Sequence, residues 1–154
     1  MKTYTYHYPK PSVTTDCIIT RNIDGKNEIL LIKRLHEPFI SQWALPGGFV
    51  EIDEDLKDGA ERELYEETGL SDIELHQFNT FGKPGRDPRG RTISVVYHGK
   101  LADNSVKIKA GDDAAEAEWF EMERLPELAF DHGVIIGAFI KMQNDIRSAE
   151  PKSS

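Results

Sequence analysis

The chain has 154 residues and a mass of 17.5 kDa, enough for one core of ordinary size and too little for two. It is 38% hydrophobic and 30% charged, the range of a globular domain, and no apolar stretch approaches the ~20 residues of a membrane helix. Its 19 Lys+Arg stand against 27 Asp+Glu, a formal charge of −8, which argues against a nucleic-acid binder and means that an anionic substrate would need metal ions or a local arginine cluster.

Met1 to Lys10 is polar and aromatic and does not read as a secretion signal. The lone Cys17 has no disulfide partner in the chain and sits in an apolar run, so it reads as a buried thiol in a reducing, cytoplasmic setting. Val13 to Ile19 and Glu28 to Lys33 read as strands, joined by a turn at Asn22–Asn27 that contains Asp24-Gly25. Arg34 to Gln42 is irregular and leads into Trp43-Ala44-Leu45-Pro46-Gly47-Gly48.

From Asp53 to Thr68 the composition predicts a helix, with Asp53 as N-cap and Gly69 as C-cap. Ile73 to Phe81 and Thr92 to Leu101 predict strands around a Gly/Pro/Arg loop, Gly82 to Arg91. A short strand is expected at Ala117 to Phe120. A closing helix is expected at Gly133 to Arg147, with Val134, Ile135, Ala138 and Met142 at helical spacing. This order predicts an α/β fold with a mixed sheet between helices. One domain over 1–147 and a flexible tail over 148–154 are expected.

The central helix carries the chemistry. At about 100° per residue, with Glu63 at 0°, Glu67 falls near 40° and Glu66 near 300°. The apolar Leu56, Ala60 and Leu64 fall in an overlapping sector, so the acids border the core-facing side rather than a solvated one. Like charges this close need a counter-cation. Arg62 can supply one, and hard cations with oxygen ligands can supply the rest. Gly47-Gly48 permits a tight turn that could aim a main-chain carbonyl at the same ions. Glu54 falls near 180° on the same projection and reads as structural.

Gly48, Glu54, Arg62-Glu63, Leu64, Glu66-Glu67, Gly69 and Leu70 fill every fixed position of a known pattern, and the segment resembles the Nudix box. The resemblance implies a Nudix-type α/β/α sandwich and metal-dependent hydrolysis of a nucleoside diphosphate derivative, with Mg²⁺ or Mn²⁺. It implies Glu66, Glu67 and the Gly47 carbonyl as metal ligands, Glu63 as ligand or base, and Arg62 as the group that orients the glutamates. The run Arg86-Asp87-Pro88-Arg89-Gly90-Arg91 is similar to a loop of ADP-ribose pyrophosphatases, as are the stretches Trp43–Glu51 and Leu128–His132.

That resemblance makes ADP-ribose the expected substrate, split to AMP and ribose 5-phosphate, with another nucleoside diphosphate sugar, a dinucleotide or an oxidised nucleotide as the alternative. Arg86, Arg89 and Arg91 are then candidates for phosphate or ribose contact, with Arg91 ranked last and Arg34 as a further candidate. His132 either contacts substrate or starts a helix. Phe81 and Phe130 either stack on the base or pack in the core. For the general base, Glu116 is preferred among Asp112, Asp113, Glu116 and Glu118, because strand alternation puts Glu116 and Glu118 on one face. A ligand sensor fused to a DNA-binding region is the rival reading. It is disfavoured by the absence of a basic recognition helix after Arg147, and a non-catalytic sensor is disfavoured by the intact box. The assembly stays open, a homodimer included.

Overall fold

A computed structural model describes residues 1–111 and 114–152. Among them the chain forms β1 (Ser12–Ile23), β2 (Lys26–Arg34), β3 (Trp43–Ala44), β4 (Gly47–Phe49), α1 (Leu56–Thr68), β5 (His76–Phe81), β6 (Thr92–Lys100), β7 (Ala114–Glu121) and α2 (His132–Ala149). The strands make one sheet in the order β3-β2-β1-β6-β5, with β4 also paired to β1 and β7 to β2. β1 and β6 run parallel and the other pairs run antiparallel, so the sheet is mixed as expected.

The apolar run of β1 is buried on both faces. Cys17 and Ile19 join Leu30, Val95, Ala60 and Leu64 under α1, while Ile18 joins Ile29, Leu31, Val96, Ile135 and Phe139 under α2. One helix on each face of the sheet gives the α/β/α sandwich. At the β1–β2 turn, Asp24 and Gly25 both take positive φ (50° and 84°), the tight-hairpin geometry the sequence predicts.

Helix α1 starts later than the sequence predicts. Its N-cap is Asp55, whose carboxylate accepts from the Lys57 N–H, and not Asp53. Asp53 lies in a closed turn, in which the Glu54 carboxylate accepts from the Glu51 N–H. The C-cap Gly69 is left-handed as expected, its N–H donating to the Tyr65 carbonyl. Gly59 has a packing reason, since a Cβ there would lie 2.9 Å from Glu54 Oε1.

Strand β5 begins at His76 rather than Ile73, because Ile73 and Glu74 cross over Gly99 at a distance only glycine allows. β7 begins three residues earlier than expected, at Ala114. The buried face of α2 is Ile135, Ile136 and Phe139. Val134 points away and is 66% exposed, contrary to its expected place in the apolar stripe. No helix is long and apolar enough to cross a membrane.

Candidate active site

The site forms where β4 lies against α1. Register sets Gly47 opposite Asp16 and Gly48 opposite Thr15 on β1. A side chain at Gly47 would strike the Thr15 carbonyl, so glycine is required there, and one at Gly48 would crowd the Glu63 carboxylate. The Gly47 N–H donates to Glu67 Oε2 at 2.9 Å. Glu67 is 7% exposed, an unusual setting for a carboxylate.

Arg62 ties the other acids together. Its Nε and Nη2 donate to Glu54 at 3.0 and 2.7 Å, and its Nη1 donates to Glu63 at 2.8 Å and Glu66 at 3.2 Å. Nη2 also reaches the Phe49 carbonyl. Glu54 is therefore structural as expected, but for another reason: it precedes the helix and pairs with Arg62. That hydrogen bond to Arg62 is the first cause that lowers the Glu54 pKa from 4.5 to about 2. Burial pushes the Glu63 pKa up, against the opposing pull of Arg62.

Among the described residues no three Asp, Glu, His or Cys side chains enclose a metal ion as they stand. Arg62 lies between Glu63 and Glu66 and supplies positive charge there. The donor chemistry nevertheless fits a hard divalent cation: carboxylate oxygens from one helix face, one of them buried, beside a glycine backbone.

Opposite Glu67 lies a narrow cleft of about 50 Å³, bordered by Asp16, Arg34, Gly47, Gly48, Glu67, Arg86, Asp87, Arg89, Phe130 and His132. Arg34 and Arg89 both lie over the Phe130 ring, at 4.8 and 5.0 Å from its centroid, and Arg89 also lies over Phe49 at 4.6 Å. Arg34 donates to the Pro38 and His36 carbonyls, and its pKa is lowered by burial first and by Arg89 second. Arg89 is clasped by Asp87 of its own loop, with contacts as short as 2.7 Å.

His132 is buried. Its Nδ1 accepts from the Leu45 N–H at 3.0 Å, so it splints the turn that carries Gly47, and burial lowers its pKa. Its Nε2 lies 3.8 Å from Asp16 Oδ1. Asp16 itself is 7% exposed and accepts a short hydrogen bond from the Ser94 hydroxyl. Sequence reasoning did not single out Asp16. The available signal was one carboxylate inside an apolar strand.

Three of the sequence candidates are placed differently from expectation, and Phe81 takes the core-packing role that is one of its two readings. Arg86 is 5% exposed in its side chain and grips Asp131 with two hydrogen bonds, of 2.9 and 2.6 Å, so it borders the cleft as half of an ion pair and not as a free cation. Arg91 donates to the Gly82 carbonyl at 2.5 Å, which closes the base of the loop, and it does not border the cleft. Phe81 packs at the edge of the α2-side core. Glu116 faces Lys33 across the β7–β2 ladder, 3.1 Å from Nζ. It alternates with Ala117, which packs on the α1 side, so Glu116 projects from the opposite face of the sheet to the box glutamates. Asp112 and Asp113 lie outside the described residues.

Two predictions arise here. Arg86→Ala strips the partner from a part-buried Asp131 at the start of α2, and the expected loss of stability is about 1–3 kcal/mol, read as a fall in the unfolding midpoint in denaturant. A surface arginine would give less than about 0.5 kcal/mol. The second concerns the chain before β7, which straps the end of α1: the N–H groups of Lys109 and Gly111 donate to the carbonyls of Thr68 and Glu67. A side chain at Gly111 would collide with the Glu66 carbonyl. Gly111→Ala is expected to cost about 1–3 kcal/mol by overpacking and to lower kcat roughly tenfold by displacing the glutamate pair, as read by melting and steady-state kinetics.

Residues 10–139 match the NUDIX domain. The chain belongs to that family, and with every fixed position of the box filled it stands among the Nudix hydrolases. It is 44% identical to the ADP-ribose pyrophosphatase of Methanocaldococcus jannaschii over 137 residues, which cover 89% of this chain and 78% of that protein. It is 36% identical over 145 residues to the ADPR responsive transcriptional repressor NtrR of Acinetobacter baylyi, covering 91% of this chain but only 58% of the repressor. In fold it is similar to the NUDIX domain of Shewanella oneidensis NrtR, solved with ADP ribose. The TM-score is 0.80 at 27% identity, covering 88% of this chain and 90% of that one. Nudix hydrolases use divalent metal ions, and a small-molecule nucleotide is the substrate class that these relatives support.

Proposed function

We propose that the chain hydrolyses the diphosphate bond of ADP-ribose to AMP and ribose 5-phosphate, with Mg²⁺ or Mn²⁺ bound at α1. The observation that carries this reading is the narrow cleft that sets the buried Glu67 against Arg34 and Arg89. A diphosphate is the ligand that needs both: cations to bind its oxygens, and carboxylates to bind the ions that screen its charge. The likeness to the Methanocaldococcus jannaschii enzyme supports the choice of ADP-ribose.

In this reading Glu66, Glu67 and the Gly47 carbonyl would hold metal, and Glu63 would be a further ligand or the base. Metal held there would supply screening of the phosphate charge and would lower the pKa of a water. Arg62 keeps Glu63 and Glu66 aligned, and His132 holds the Leu45–Gly47 turn in place. Arg34 and Arg89 orient the phosphates, Arg89 by exchanging Asp87 for substrate. One water adds across the P–O–P bridge, one phosphorus–oxygen bond breaks, and a proton is released to the base. Glu116 is left out of this reading, since it projects from the opposite face of the sheet to the box glutamates and pairs with Lys33. A cytoplasmic setting belongs to the same reading, consistent with the buried thiol of Cys17.

The likeness to the NtrR repressor favours one second reading, a domain that binds ADP-ribose without turning it over. A panel of nucleoside diphosphate derivatives, incubated with Mg²⁺ or Mn²⁺, separates the two. The proposal expects many AMP molecules per chain from ADP-ribose. Saturable binding with no product would favour the sensor.

A further inference from the structure

Among the described residues three carboxylates are buried, those of Asp16, Glu67 and Asp87. Glu67 receives the Gly47 N–H, and Asp87 clasps Arg89. Asp16 also borders the cleft, but it takes no part in the proposed steps. A charge buried in an apolar strand needs partners close at hand. One is the hydroxyl of Ser94, itself fully buried on β6, which donates to Asp16 Oδ2. An amide oxygen would accept that bond as well, so Ser94 does not explain why the group is charged.

The other oxygen explains more. Asp16 Oδ1 lies 3.8 Å from His132 Nε2, and a Cβ on Gly47, the register partner of Asp16, would lie 2.6 Å from it. His132 Nδ1 accepts from the Leu45 N–H, and a ring nitrogen that accepts carries no proton. The imidazole is therefore neutral, with its hydrogen on Nε2 facing the carboxylate. At 3.8 Å that contact is electrostatic rather than a hydrogen bond. A negative charge there favours the tautomer in which Nδ1 is free to serve Leu45. Ser94, Asp16 and His132 are not a nucleophilic triad, because the hydroxyl bonds the carboxylate and not the imidazole.

The segment that receives this support is short. Leu45 donates to His132 of α2, the Pro46 carbonyl accepts from the Cys17 N–H of β1 at 2.8 Å, and Gly47 donates to Glu67 of α1. Three consecutive residues are pinned by three elements, and Asp16 stands next to Cys17 and against His132. We propose that Asp16 is a positioning residue for the hydrolysis, its carboxylate seating His132 and, through it, the Leu45–Gly47 turn beside Glu67. The inference rests on the metal-dependent reading of that site, and its test is separable from that reading.

The test compares Asp16→Asn, which removes the charge and keeps the size, with Ser94→Ala, which keeps the charge and removes its anchor. Amide hydrogen exchange on the metal-free chains reads the turn, and calorimetric titration with Mn²⁺ reads the metal site. In both variants the Leu45 amide is expected to speed up about tenfold more than the amide of Leu30 in the sheet core. Asp16→Asn is expected to weaken Mn²⁺ binding roughly ten- to a hundredfold, and Ser94→Ala to weaken it by a smaller factor. A melting curve checks each fold, and Ser94→Ala decides alone if Asp16→Asn does not fold. Equal acceleration of Leu45 and Leu30, or an unchanged Leu45 amide, overturns the proposal. So does weakened Mn²⁺ binding in Asp16→Asn with Ser94→Ala at wild type in both readouts, because the charge would then act on the cation through space. Turnover of ADP-ribose by the wild-type chain checks the function reading by itself. A wild-type chain that neither binds Mn²⁺ nor splits ADP-ribose overturns that reading, and this proposal with it.

Discussion

Replacing Glu67 by Gln is expected to lower kcat by about three orders of magnitude while the fold survives. Glu67 is the most buried carboxylate of α1, and its Oε2 receives the Gly47 N–H, so one residue joins the helix to the glycine turn. Glutamine keeps the size and an oxygen to accept that N–H, so the turn stays docked. What it loses is the negative charge. A hard divalent ion held by oxygen donors depends on that charge, and the loss of about 4 kcal/mol of transition-state stabilisation corresponds to a thousandfold in rate. The fold should survive in metal-free buffer, because the amide keeps the contact with the Gly47 N–H. The check is kcat against Mg²⁺ concentration, with melting curves for both proteins. Wild-type turnover at saturating Mg²⁺ would remove Glu67 from the metal site.

Arg62→Ala should damage stability and rate together. The guanidinium serves Glu54, Glu63 and Glu66 at once, and its removal leaves three carboxylates without their shared cation. Hydrogen bonds to charged groups contribute about 1.5–3 kcal/mol, and the side chain is only partly exposed, so a loss of about 2–3 kcal/mol is expected near neutral pH. The rate should fall about a hundredfold as Glu63 and Glu66 lose alignment.

The pH dependence gives this prediction a sign. The folded Glu54 pKa lies near 2, below its ordinary 4.5, mainly through the hydrogen bond from Arg62. Stabilisation from this pair is therefore complete above pH 4.5 and is lost as pH falls toward 2. The stability gap between wild type and Arg62→Ala should be widest near neutral pH and shrink across that window. Denaturant titrations at several pH values measure it. A gap that stays constant through the window would mean that Glu54 does not depend on Arg62.

The box was legible because its signal is local. Glutamates 63, 66 and 67 share a helix, so periodicity alone places them on one sector, and Gly69 ends that helix where left-handed backbone is needed. The mixed sheet and flanking helices were also readable from the order of apolar runs. Asp16 was not, because its role depends on register: Ser94 and His132, far along the chain, meet it only when β1 pairs with β6 and α2 packs below. The Arg86–Asp131 pair spans 45 residues and has the same origin, so a loop arginine that looked free is an internal strut. Glu116 shows a third limit. Alternation correctly groups residues of a strand by face, but it does not say which face meets α1. The N-cap was displaced from Asp53 to Asp55 by the Glu51–Glu54 turn, and two acids so close together offer equal sequence signals.

In the proposed reading, α1 and its facing arginines carry out metal-dependent hydrolysis of ADP-ribose. The most direct measurement is mass analysis of the products formed from ADP-ribose in ¹⁸O-labelled water, with Mg²⁺ present and again after exhaustive chelation. AMP and ribose 5-phosphate are expected in equal amounts, with one ¹⁸O incorporated into one of the two, and no product is expected after chelation until Mg²⁺ is restored. Intact ADP-ribose in the presence of metal, or undiminished turnover after chelation, would contradict it.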